Sequence, residues 1–352
     1  MASSCTVAVY AFTPQGLALA ERLAAPLSAT LFVPGALCPG TQAYRPFERL
    51  GPLLEHTFRA FGCHIFIAAC GIAVRAVAPL LAGKDRDPAV LVMDQRGRHV
   101  ISLLSGHLGG ANAMAGRVAA LVGATPVITT ATDIESLPAV DALAAGRGLA
   151  IGNLEAVKTV SAALLRGETV GLDDPHDRLG LAKSPWDGLF IRGPGEAAAR
   201  IVVTEQAAAP GARAALYLHP RTLACGVGCK KGVTAAVILQ AIRGMLARGG
   251  YAAASLACLA SFDAKQHEPG LTEAARLLGT PFRVFTAGEL AAFPPRNPSP
   301  KAFERFGVAG VCESAALAAA AGLPGETVLL EEKAAANGVT VALAGPPCAR
   351  RC

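Results

Sequence analysis

The segment His99-Val-Ile-Ser-Leu-Leu-Ser-Gly-His-Leu-Gly-Gly-Ala-Asn112 predicts a buried strand that ends in a glycine-rich turn. The apolar run from His99 to Leu104 is typical of a strand, and the apolar spacing between Met114 and Val122 predicts a helix after the turn. A hydroxyl, an imidazole, three glycines and a carboxamide therefore lie between the carboxyl end of a strand and the start of a helix. Ligands bind at this position in open α/β sheets.

The residues of this turn, Ser105 to Asn112, have both a functional and a structural interpretation. Glycines let a ligand approach the backbone, and the unpaired N–H groups of a first helical turn attract anions. In the functional interpretation His107 is a general base, because imidazole titrates near neutral pH. In the structural interpretation Ser105 only caps the helix, and His107 is a surface imidazole.

Strands and helices alternate over residues 1–130, which predicts an N-terminal three-layer α/β domain. The predicted strands are Thr6–Phe12, Ala29–Val33, His64–Ala69, Ala89–Asp94, His99–Leu104 and Val127–Thr129. The predicted helices are Gly16–Ala25, Pro46–Phe61, Ala73–Leu81 and a segment that follows Ser105 and ends at Val122. Ala89–Asp94 and His99–Leu104 are expected to pair around the turn between them.

Two further domains and a short tail are predicted after residue 130. Residues 131–220 predict a small α+β middle domain with a helix at Leu154–Leu165 and strands at Thr169–Leu172, Ile201–Val203 and Ala215–His219. Residues 221–345 predict a C-terminal α/β domain, which begins with the strand Thr222–Cys225 and a helix capped by Thr234, and ends with a strand near Thr340–Leu343. Residues 346–352 form a polar tail that contains Cys348 and Cys352.

Composition favours a soluble protein with two or three packed domains. Of the 352 residues, 52% are hydrophobic and 16% are charged, and the mean hydropathy is +0.42. No apolar run approaches the roughly 18 residues of a membrane span. The N-terminus also lacks the positive charge that precedes the apolar run of a signal peptide. We therefore expect a cytoplasmic protein with no membrane partner.

The charge balance points to an anionic ligand. The formal net charge is +6 and the sequence pI is near 8.9, an excess that suits an anion. The basic residues are dispersed, and aromatic residues make up only 5% of the chain. Because single-stranded and duplex nucleic acids are bound by dense basic surfaces, often with aromatic side chains, this composition argues against nucleic-acid binding.

The ten cysteines show no repeated C-x-x-C pairing. Cys225 and Cys229 are four residues apart, but no second pair and no nearby histidine completes a metal site. The pattern predicts free thiols in a reducing compartment, most of them small core residues, and no bound metal.

A second glycine-rich segment, Gly226-Val-Gly-Cys-Lys-Lys-Gly232, is predicted as a turn after a strand. It lacks the glycine spacing and the Ser or Thr of a P-loop, and it lacks the third glycine of the dinucleotide fingerprint. A nucleotide-dependent α/β enzyme is therefore disfavoured. The segment is either a backbone N–H cradle for a carboxylate, aided by Lys230 and Lys231, or a tight turn with two solvated lysines.

Three charged residues, Asp263, Lys265 and Glu268, follow the predicted strand Ala253–Phe262. Alternation places Asp263 and Lys265 on the same face of an extended segment. They form either a surface ion pair or, in a cleft, a group that orients substrate carboxylates or transfers protons.

Several segments together resemble one known family. They are Gly71-Ile-Ala-Val-Arg-Ala-Val-Ala-Pro-Leu-Leu81, Asp87-Pro88-Ala-Val, Leu104–Asn112, Pro126-Val-Ile-Thr-Thr-Ala-Thr-Asp133, Gly226–Gly232, Ser261–Leu271 and Asn297-Pro-Ser299. In this order they resemble the cobalamin-biosynthesis CbiG family over roughly residues 60–343, and the C-terminal segments also resemble CobE. The family usually has an acid at the position of His267.

The resemblance implies cobalt-precorrin-5A hydrolase activity, in which the δ-lactone of a cobalt tetrapyrrole opens and acetaldehyde leaves. It implies the anionic macrocycle as the ligand, other cobalamin-pathway enzymes as further partners, and no cofactor beyond the cobalt that the substrate carries. A non-catalytic corrinoid carrier or scaffold is the alternative from a different functional class.

For this chemistry we predict His107 as the base that activates water, with Asp133 or Asp94 as alternatives. Ser105 is a disfavoured nucleophile, because no nucleophile-elbow motif surrounds it. The N–H groups of Gly106, Gly109 and Gly110 are candidate oxyanion donors, and Arg75 is a candidate carboxylate clamp. The predicted substrate-binding residues are Gly71, Arg75, Gly106, Gly109, Gly110, Asn112, Gly226, Gly228, Cys229, Lys230, Lys231, Asp263, Lys265 and Glu268.

Overall fold

The structure is a computed structural model that describes residues 6–38, 40, 43–83, 86–193, 195–208 and 215–347. The chain forms two compact units, Met1–Leu143 and Ala144–Cys352. The described residues form one sheet in the first unit and two in the second. The predicted domain boundaries stay predictions, and Cys348 and Cys352 of the predicted tail lie outside the described residues.

The first unit alternates strands and helices as the sequence predicts. Its strands are β1 (Val7–Ala11), β2 (Thr30–Pro34), β3 (Tyr44–Phe47), β4 (Cys63–Ile67), β5 (Ala89–Met93), β6 (His99–Leu104) and β7 (Thr125–Val127). Its helices are α1 (Pro14–Leu27), α2 (Leu50–Thr57), α3 (Cys70–Val77), α4 (Ala111–Val122), α5 (Ala131–Ile134) and α6 (Val140–Gly146), the last of which continues past Leu143.

One strand reversal distinguishes this sheet, whose strand order is β3-β2-β1-β4-β5-β6-β7. β1 to β5 are parallel, whereas β6 is antiparallel to β5 and parallel to β7. Asp94 stabilises the reversing turn, because its carboxylate accepts hydrogen bonds from the N–H groups of Arg96, Arg98 and His99. The carboxyl ends of β6 and β7 therefore lie along one edge of the sheet, at the opposite end of the strands from the carboxyl ends of β1, β4 and β5.

Helices cover both faces of the first sheet, which confirms the predicted three-layer α/β fold. Alternate strand residues point to opposite faces. On one face Val9 and Ile65 pack with Leu23 of α1 and Val118 of α4. On the other face the packed residues include Tyr10, Phe66, Leu54 of α2 and Val77 of α3.

The second unit begins with a five-stranded sheet in the order β10-β9-β11-β12-β8. Its elements are β8 (Leu149–Ile151), α7 (Leu154–Leu165), β9 (Val170–Asp173), β10 (Phe190–Arg192), β11 (Ala199–Val203) and β12 (Ala215–Pro220). The pairs are parallel except for the edge strand β8, which is antiparallel to β12. The helix predicted at Leu154–Leu165 is observed with the same bounds.

The third sheet has the order β15-β14-β13-β17-β16. Its strands are β13 (Leu223–Cys229), β14 (Leu256–Phe262), β15 (Phe282–Phe285), β16 (Val328–Ala336) and β17 (Val339–Gly345). The helices are α8 (Ala235–Gly249), α9 (Pro269–Leu278), α10 (Ala287–Ala291), α11 (Pro300–Phe306) and α12 (Cys312–Ala321). α8 and α9 pack on one face and α12 on the other, which makes a second three-layer arrangement.

Two of the differences between the predicted and the observed elements lie in the first unit. The helix predicted at Pro46–Phe61 starts only at Leu50, because Tyr44–Phe47 is an edge strand in which Pro46 costs no ladder bond. The strand predicted to be buried at His99–Leu104 is mostly half-buried, and only Val100 is fully buried in it.

Cysteine placement agrees with the predicted role of most cysteines as small core residues. Cys63, Cys225, Cys258 and Cys312 are buried, whereas Cys38, Cys70 and Cys229 are half-buried. Among the residues that the structure describes, no helix is both long and apolar enough to cross a membrane.

Candidate active site

The turn after β6 is shaped by contacts within its own backbone. Ser105 has φ 57°, which turns the chain sharply at the strand end. Gly109 packs so closely on Ser105 that a Cβ at this position would lie 2.9 Å from the Ser105 carbonyl oxygen. A Cβ at Gly106 would lie 2.8 Å from the Asn112 side-chain oxygen. Glycines are therefore required here for packing, whatever ligand the turn binds.

His107 lies between two carboxylates. Its Nε2 is 2.7 Å from Asp133 Oδ2 and 3.3 Å from the Thr132 hydroxyl. Its Nδ1 is 3.6 Å from Asp141 Oδ1. The side chain of Asp141 is 8% exposed, that of His107 19% and that of Asp133 35%. Since a carboxylate only accepts hydrogen bonds, Nε2 donates to Asp133.

Asn112 connects this cluster to the sheet. Its Nδ2 donates to Thr130 Oγ1 at 2.7 Å and to Asp133 Oδ2 at 3.1 Å, while its Oδ1 accepts from Ser102 Oγ at 2.7 Å. Asn112 is buried, and these bonds fix its amide orientation. One oxygen of Asp133 therefore accepts from both His107 and Asn112, which holds the carboxylate at the edge formed by the ends of β6 and β7.

The structure corrects several expectations for this turn. The N-cap of α4 is Gly110 and not Ser105, whose hydroxyl donates to the Asp87 carbonyl at 2.9 Å. The N–H groups of Ala111 and Asn112 are not free, since they donate to the carbonyls of Ser105 and Gly106. The Gly110 N–H donates to the His107 carbonyl, so this group is not a free oxyanion donor.

Three other candidate residues lie at the opposite edge of the first sheet. Gly71 and Arg75 belong to α3, which follows the carboxyl end of β4, and Asp94 follows the carboxyl end of β5. The Arg75 guanidinium lies over Gly71, where a Cβ would be 3.2 Å from its Nη2. Because β6 is reversed, a strand length of roughly 15 Å separates these residues from the His107 cluster. The structure does not bring them together.

The turn predicted at Gly226–Gly232 is wrong over its first half, which is a strand. Gly226, Gly228 and Cys229 belong to β13, where they pair with β17. A Cβ at Gly226 would run into the Cys312 carbonyl of α12, so this glycine permits close packing of the helix on the strand. Lys230 and Lys231 follow the strand, are exposed, and line a cavity with Gly228 and Cys229.

The charged residues after β14 also differ from the prediction. Asp263–Lys265 is a 3-10 helical turn and not an extended segment, so alternation does not apply to Asp263 and Lys265. Glu268 accepts hydrogen bonds from the Gly232 N–H at 2.7 Å and the Lys265 ammonium at 3.2 Å. These contacts, the backbone one foremost, lower the pKa of Glu268. Glu268 therefore holds the loop after β13, and Lys265 lines the cavity beside that loop.

Known protein families match this chain in three consecutive regions. Three family models match: Cobalamin synthesis G N-terminal over residues 52–133, Cobalamin biosynthesis central region over residues 138–220, and Cobalamin synthesis G C-terminus over residues 223–344. The cobalt-precorrin-5A hydrolase of Salmonella typhimurium is 34% identical over 96% of this chain and 97% of that protein. The chain belongs to the CbiG family.

Two further curated relatives, one of which matches only part of this chain, agree with this assignment. A cobalt-precorrin-5A hydrolase of Priestia megaterium is 34% identical over 75% of this chain and 74% of its own. Protein CobE of a Sinorhizobium species is 35% identical over 36% of this chain and 82% of its own. A solved CbiG homologue from Sulfolobus solfataricus aligns with 97% of both chains at 20% identity and a TM-score of 0.39. The curated relatives confirm the predicted CbiG membership, hydrolase class and CobE-like C-terminal region.

The sequence analysis of this CbiG-family chain does not identify two residues that lie beside candidate site residues, Asp141 beside His107 and Lys333 in the cavity that Lys230 lines. Asp141 is in the first turn of α6, and nothing in its sequence context indicates that it faces His107. Lys333 is in β16 and lines the same cavity as Lys230. A signal for β16 exists, because Asn337-Gly338 is the preferred pair for a two-residue hairpin turn.

Proposed function

We propose that this CbiG-family protein hydrolyses cobalt-precorrin-5A by opening its δ-lactone and releasing acetaldehyde. Curated relatives at 34% identity carry that enzyme name, and one matches over 97% of its length. The observation that carries the proposal is the His107 imidazole between the carboxylates of Asp133 and Asp141. Such a cluster supplies the acid–base groups that lactone hydrolysis needs.

The first step needs a base for the attacking water. Both ring nitrogens of His107 face carboxylates, and the carboxylate beyond Nδ1 is buried. Asp133 is the more exposed group, at 35% against 19% for His107. We therefore assign Asp133 as the base that contacts water and His107 as the residue that orients it. This revises the sequence prediction, in which His107 is the base and Asp133 the alternative.

Lactone opening then follows ordinary acyl chemistry. Asp133 takes one proton from water, the hydroxide oxygen bonds to the lactone carbonyl carbon, and the carbonyl oxygen becomes an oxyanion. Collapse breaks the ring C–O bond, and protonated Asp133 returns its proton to the leaving alkoxide. Gly106 and Gly109 remain candidate N–H donors to the oxyanion, whereas the Gly110 N–H is already used by the His107 backbone carbonyl.

Acetaldehyde release uses the same carboxylate a second time. Asp133 removes the proton of the freed hydroxyl, the alkoxide becomes a carbonyl, and the carbon–carbon bond to the macrocycle breaks. The bond's electron pair enters the conjugated macrocycle, which takes the proton back from Asp133. The cobalt ion arrives as part of the substrate, so we propose that neither step needs a nucleotide, an added metal or another cofactor.

The test is direct detection of acetaldehyde. Purified protein is incubated with cobalt-precorrin-5A in the absence of nucleotide and added metal, and released acetaldehyde is trapped as a hydrazone. We expect one acetaldehyde per ring opened. Binding of the substrate without release would instead support the corrinoid carrier, and a strict requirement for ATP would contradict the proposed chemistry. A cytoplasmic location and contacts with other pathway enzymes stay predictions.

A further inference from the structure

A cavity of about 800 Å³ lies in the C-terminal part of the second unit, among residues that the proposed chemistry does not use. Its volume is in the range of sites for cofactor-sized ligands. The wall is formed by the end of β13, the hairpin of β16 and β17, and residues of the 295–302 and 310–313 segments. Asn297 and Ser299 of the family-like segment are among them.

Positive charge dominates this cavity. Four lysines line it, at positions 230, 231, 265 and 333, against the single carboxylate of Glu313. Lys265 is partly neutralised by Glu268 at 3.2 Å. In the described part of the chain, no carboxylate lies within ion-pair distance of Lys230 or Lys231. Glu268 also attracts Lys231 at longer range, but the lysines outnumber the carboxylates around the cavity, which favours an anionic ligand.

The single carboxylate among the cavity residues, that of Glu313, is hydrogen-bonded to other groups of the cavity wall. Glu313 is 1% exposed, and it accepts hydrogen bonds from the backbone N–H groups of Asn297 and Lys333 and from the Asn297 side-chain amide. Burial alone would raise the pKa of Glu313, but these hydrogen bonds hold it below its usual value. Glu313 therefore joins α12 to β16 and to the 297 segment.

Lys333 is positioned by the same contacts. Its backbone is bound to Glu313, and its ammonium donates to the Asn297 carbonyl at 3.0 Å. An ammonium group has three N–H donors, so two remain for a ligand. Because the ammonium is already held in place, less side-chain entropy is lost when a ligand binds to it.

Lys230 is supported by the hairpin turn. Its backbone N–H donates to the Gly338 carbonyl at 2.9 Å, and its alkyl chain lies over Gly338, where a Cβ would be 3.2 Å from Lys230 Cδ. Asn337 and Gly338 both have positive φ, as the two-residue turn requires. Apolar side chains complete the lining, from Pro295, Ala302, Val311, Ala335, Ala336 and Val339.

An apolar lining with several ammonium groups, one of which is held in place by the Asn297 carbonyl, matches a particular ligand chemistry. It fits a flat, largely apolar ring that carries carboxylates on its periphery. We propose that this cavity binds the macrocycle of the cobalt tetrapyrrole substrate, with Lys230, Lys231 and Lys333 contacting its acetate and propionate groups. The identity of the macrocycle as substrate rests on the proposed function, whereas the binding itself is measured without turnover.

The binding experiment uses the full chain and two probe ligands. Cobyrinic acid is a cobalt corrin with free peripheral carboxylates, and cobinamide is its amidated counterpart. We expect the wild type to bind cobyrinic acid more than tenfold more tightly than cobinamide in a visible-absorbance titration. Lys333→Ala and the double variant Lys230→Ala/Lys231→Ala should each weaken cobyrinic acid binding roughly tenfold or more, since each removes charge-assisted hydrogen bonds.

Matched controls separate charge from folding. Lys158→Ala removes an exposed lysine of α7 that pairs with Glu155 outside the cavity, and it should bind like the wild type. Lys333→Gln keeps a donor for the Asn297 carbonyl but lacks the charge, so it should fold normally and still bind weakly. Unchanged affinity in the cavity variants, or failure of the wild type to bind cobyrinic acid, overturns the proposal.

The turnover assay provides the second arm. With cobalt-precorrin-5A, the cavity variants should raise KM about tenfold and leave kcat within twofold, because they act on binding. An unchanged KM overturns the substrate assignment. Absence of acetaldehyde from every variant and from the wild type contradicts the proposed function alone, since the cobyrinic acid titration decides the cavity independently.

Discussion

Asp133 is the member of the His107 cluster that is best placed to contact substrate. Two donors, His107 Nε2 and Asn112 Nδ2, both reach its Oδ2, which fixes the carboxylate while about a third of the side chain stays exposed. His107 is less exposed, and both of its ring nitrogens face carboxylates of the protein. The residue that sequence reasoning favours as base is therefore better suited to position its neighbour.

Asp133→Asn tests this assignment. The amide is nearly isosteric but cannot take a proton from water, so kcat should fall by roughly 10²–10⁴-fold with KM little changed. Acetaldehyde release at saturating substrate is the measurement. Asp94→Asn is the comparison, because Asp94 lies at the opposite sheet edge and should leave kcat within about twofold. Near-normal turnover of the Asp133 variant would return the role of base to His107.

His64 is a buried histidine of the first unit whose protonation affects folding. Its Nε2 is 3.0 Å from the Phe58 carbonyl, so Nε2 donates and Nδ1 accepts from the Tyr10 hydroxyl at 2.9 Å. Burial lowers the pKa of His64 to about 4, from an ordinary value of 6.5. The folded state therefore binds fewer protons than the unfolded state between these two pH values.

Stability should fall as pH falls through this window. The loss begins near pH 6.5, where unfolded His64 takes up a proton, and ends near pH 4, where the folded state also does. At about 1.4 kcal/mol per pH unit, His64 accounts for roughly 3 kcal/mol of unfolding free energy. Denaturant unfolding followed by circular dichroism from pH 7 to pH 4.5 measures the slope.

His64→Gln should reduce that slope, because glutamine does not titrate. Burial also lowers the pKa of His219, so part of the slope will remain. His56→Gln replaces an exposed histidine and should retain the full wild-type slope. Identical slopes for His64→Gln and the wild type would show that His64 is not buried in its neutral form.

At the scale of elements, Gly226 of β13 lets α12 pack directly against the strand backbone. A Cβ at Gly226 would lie 2.7 Å from the Ala316 backbone nitrogen as well as against Cys312. Backbone atoms cannot rotate away as a flexible side chain can. α12 also carries Glu313, which holds the wall of the lysine-lined cavity.

Gly226→Ala should therefore displace α12 and destabilise the protein by about 3 kcal/mol, the upper range for overpacking. Gly244→Ala is the matched control, because Gly244 is inside α8 and its Cβ would meet only the end of the Arg248 side chain at 3.6 Å. Alanine in a helix interior should stabilise by up to about 1 kcal/mol. Thermal unfolding of both variants gives the comparison, and equal melting temperatures would contradict the packing argument.

The strand β16 shows why some elements escape prediction. The sequence Val328-Leu-Leu-Glu-Glu-Lys-Ala-Ala-Ala336 consists mostly of strong helix formers. It is nevertheless a strand, because the Asn337-Gly338 turn folds it back on β17, and its register is interrupted twice. Pairing with a neighbour outweighs local preference in such a strand. β3, β8 and β10, which have only three or four residues each, are also absent from the sequence prediction.

At the scale of the whole molecule, the sequence predicts the α/β class, the alternation of elements and the family. His107 and Asp133 could be paired from sequence only by knowing that β6 and β7 are adjacent and parallel. The separation of Arg75 from His107 was implicit in the predicted pairing around the turn after Asp94, since a short turn makes β6 antiparallel. Glu313 and Asp141 carry no comparable signal, because long-range packing alone positions them.

Charge gives a prediction for the molecule as a whole. Salt screens exposed charges beyond about 10 Å at 0.1 M ionic strength. Because Lys230 and Lys231 are exposed, the KM for the polyanionic substrate should rise several-fold between about 50 and about 300 mM salt. The value of kcat should change little. Steady-state acetaldehyde release at both salt concentrations is the measurement, and a salt-independent KM would show that the lysines do not contact substrate.

The reversal of β6 has an evolutionary consequence. It places the loops after β1, β4 and β5 at one edge of the first sheet and the loops after β6 and β7 at the other. Insertions or substitutions in one set of loops can accumulate without displacing the other set, because the rigid length of the sheet lies between them. A descendant of this chain can therefore change the loops at one edge while the residues at the other edge are preserved.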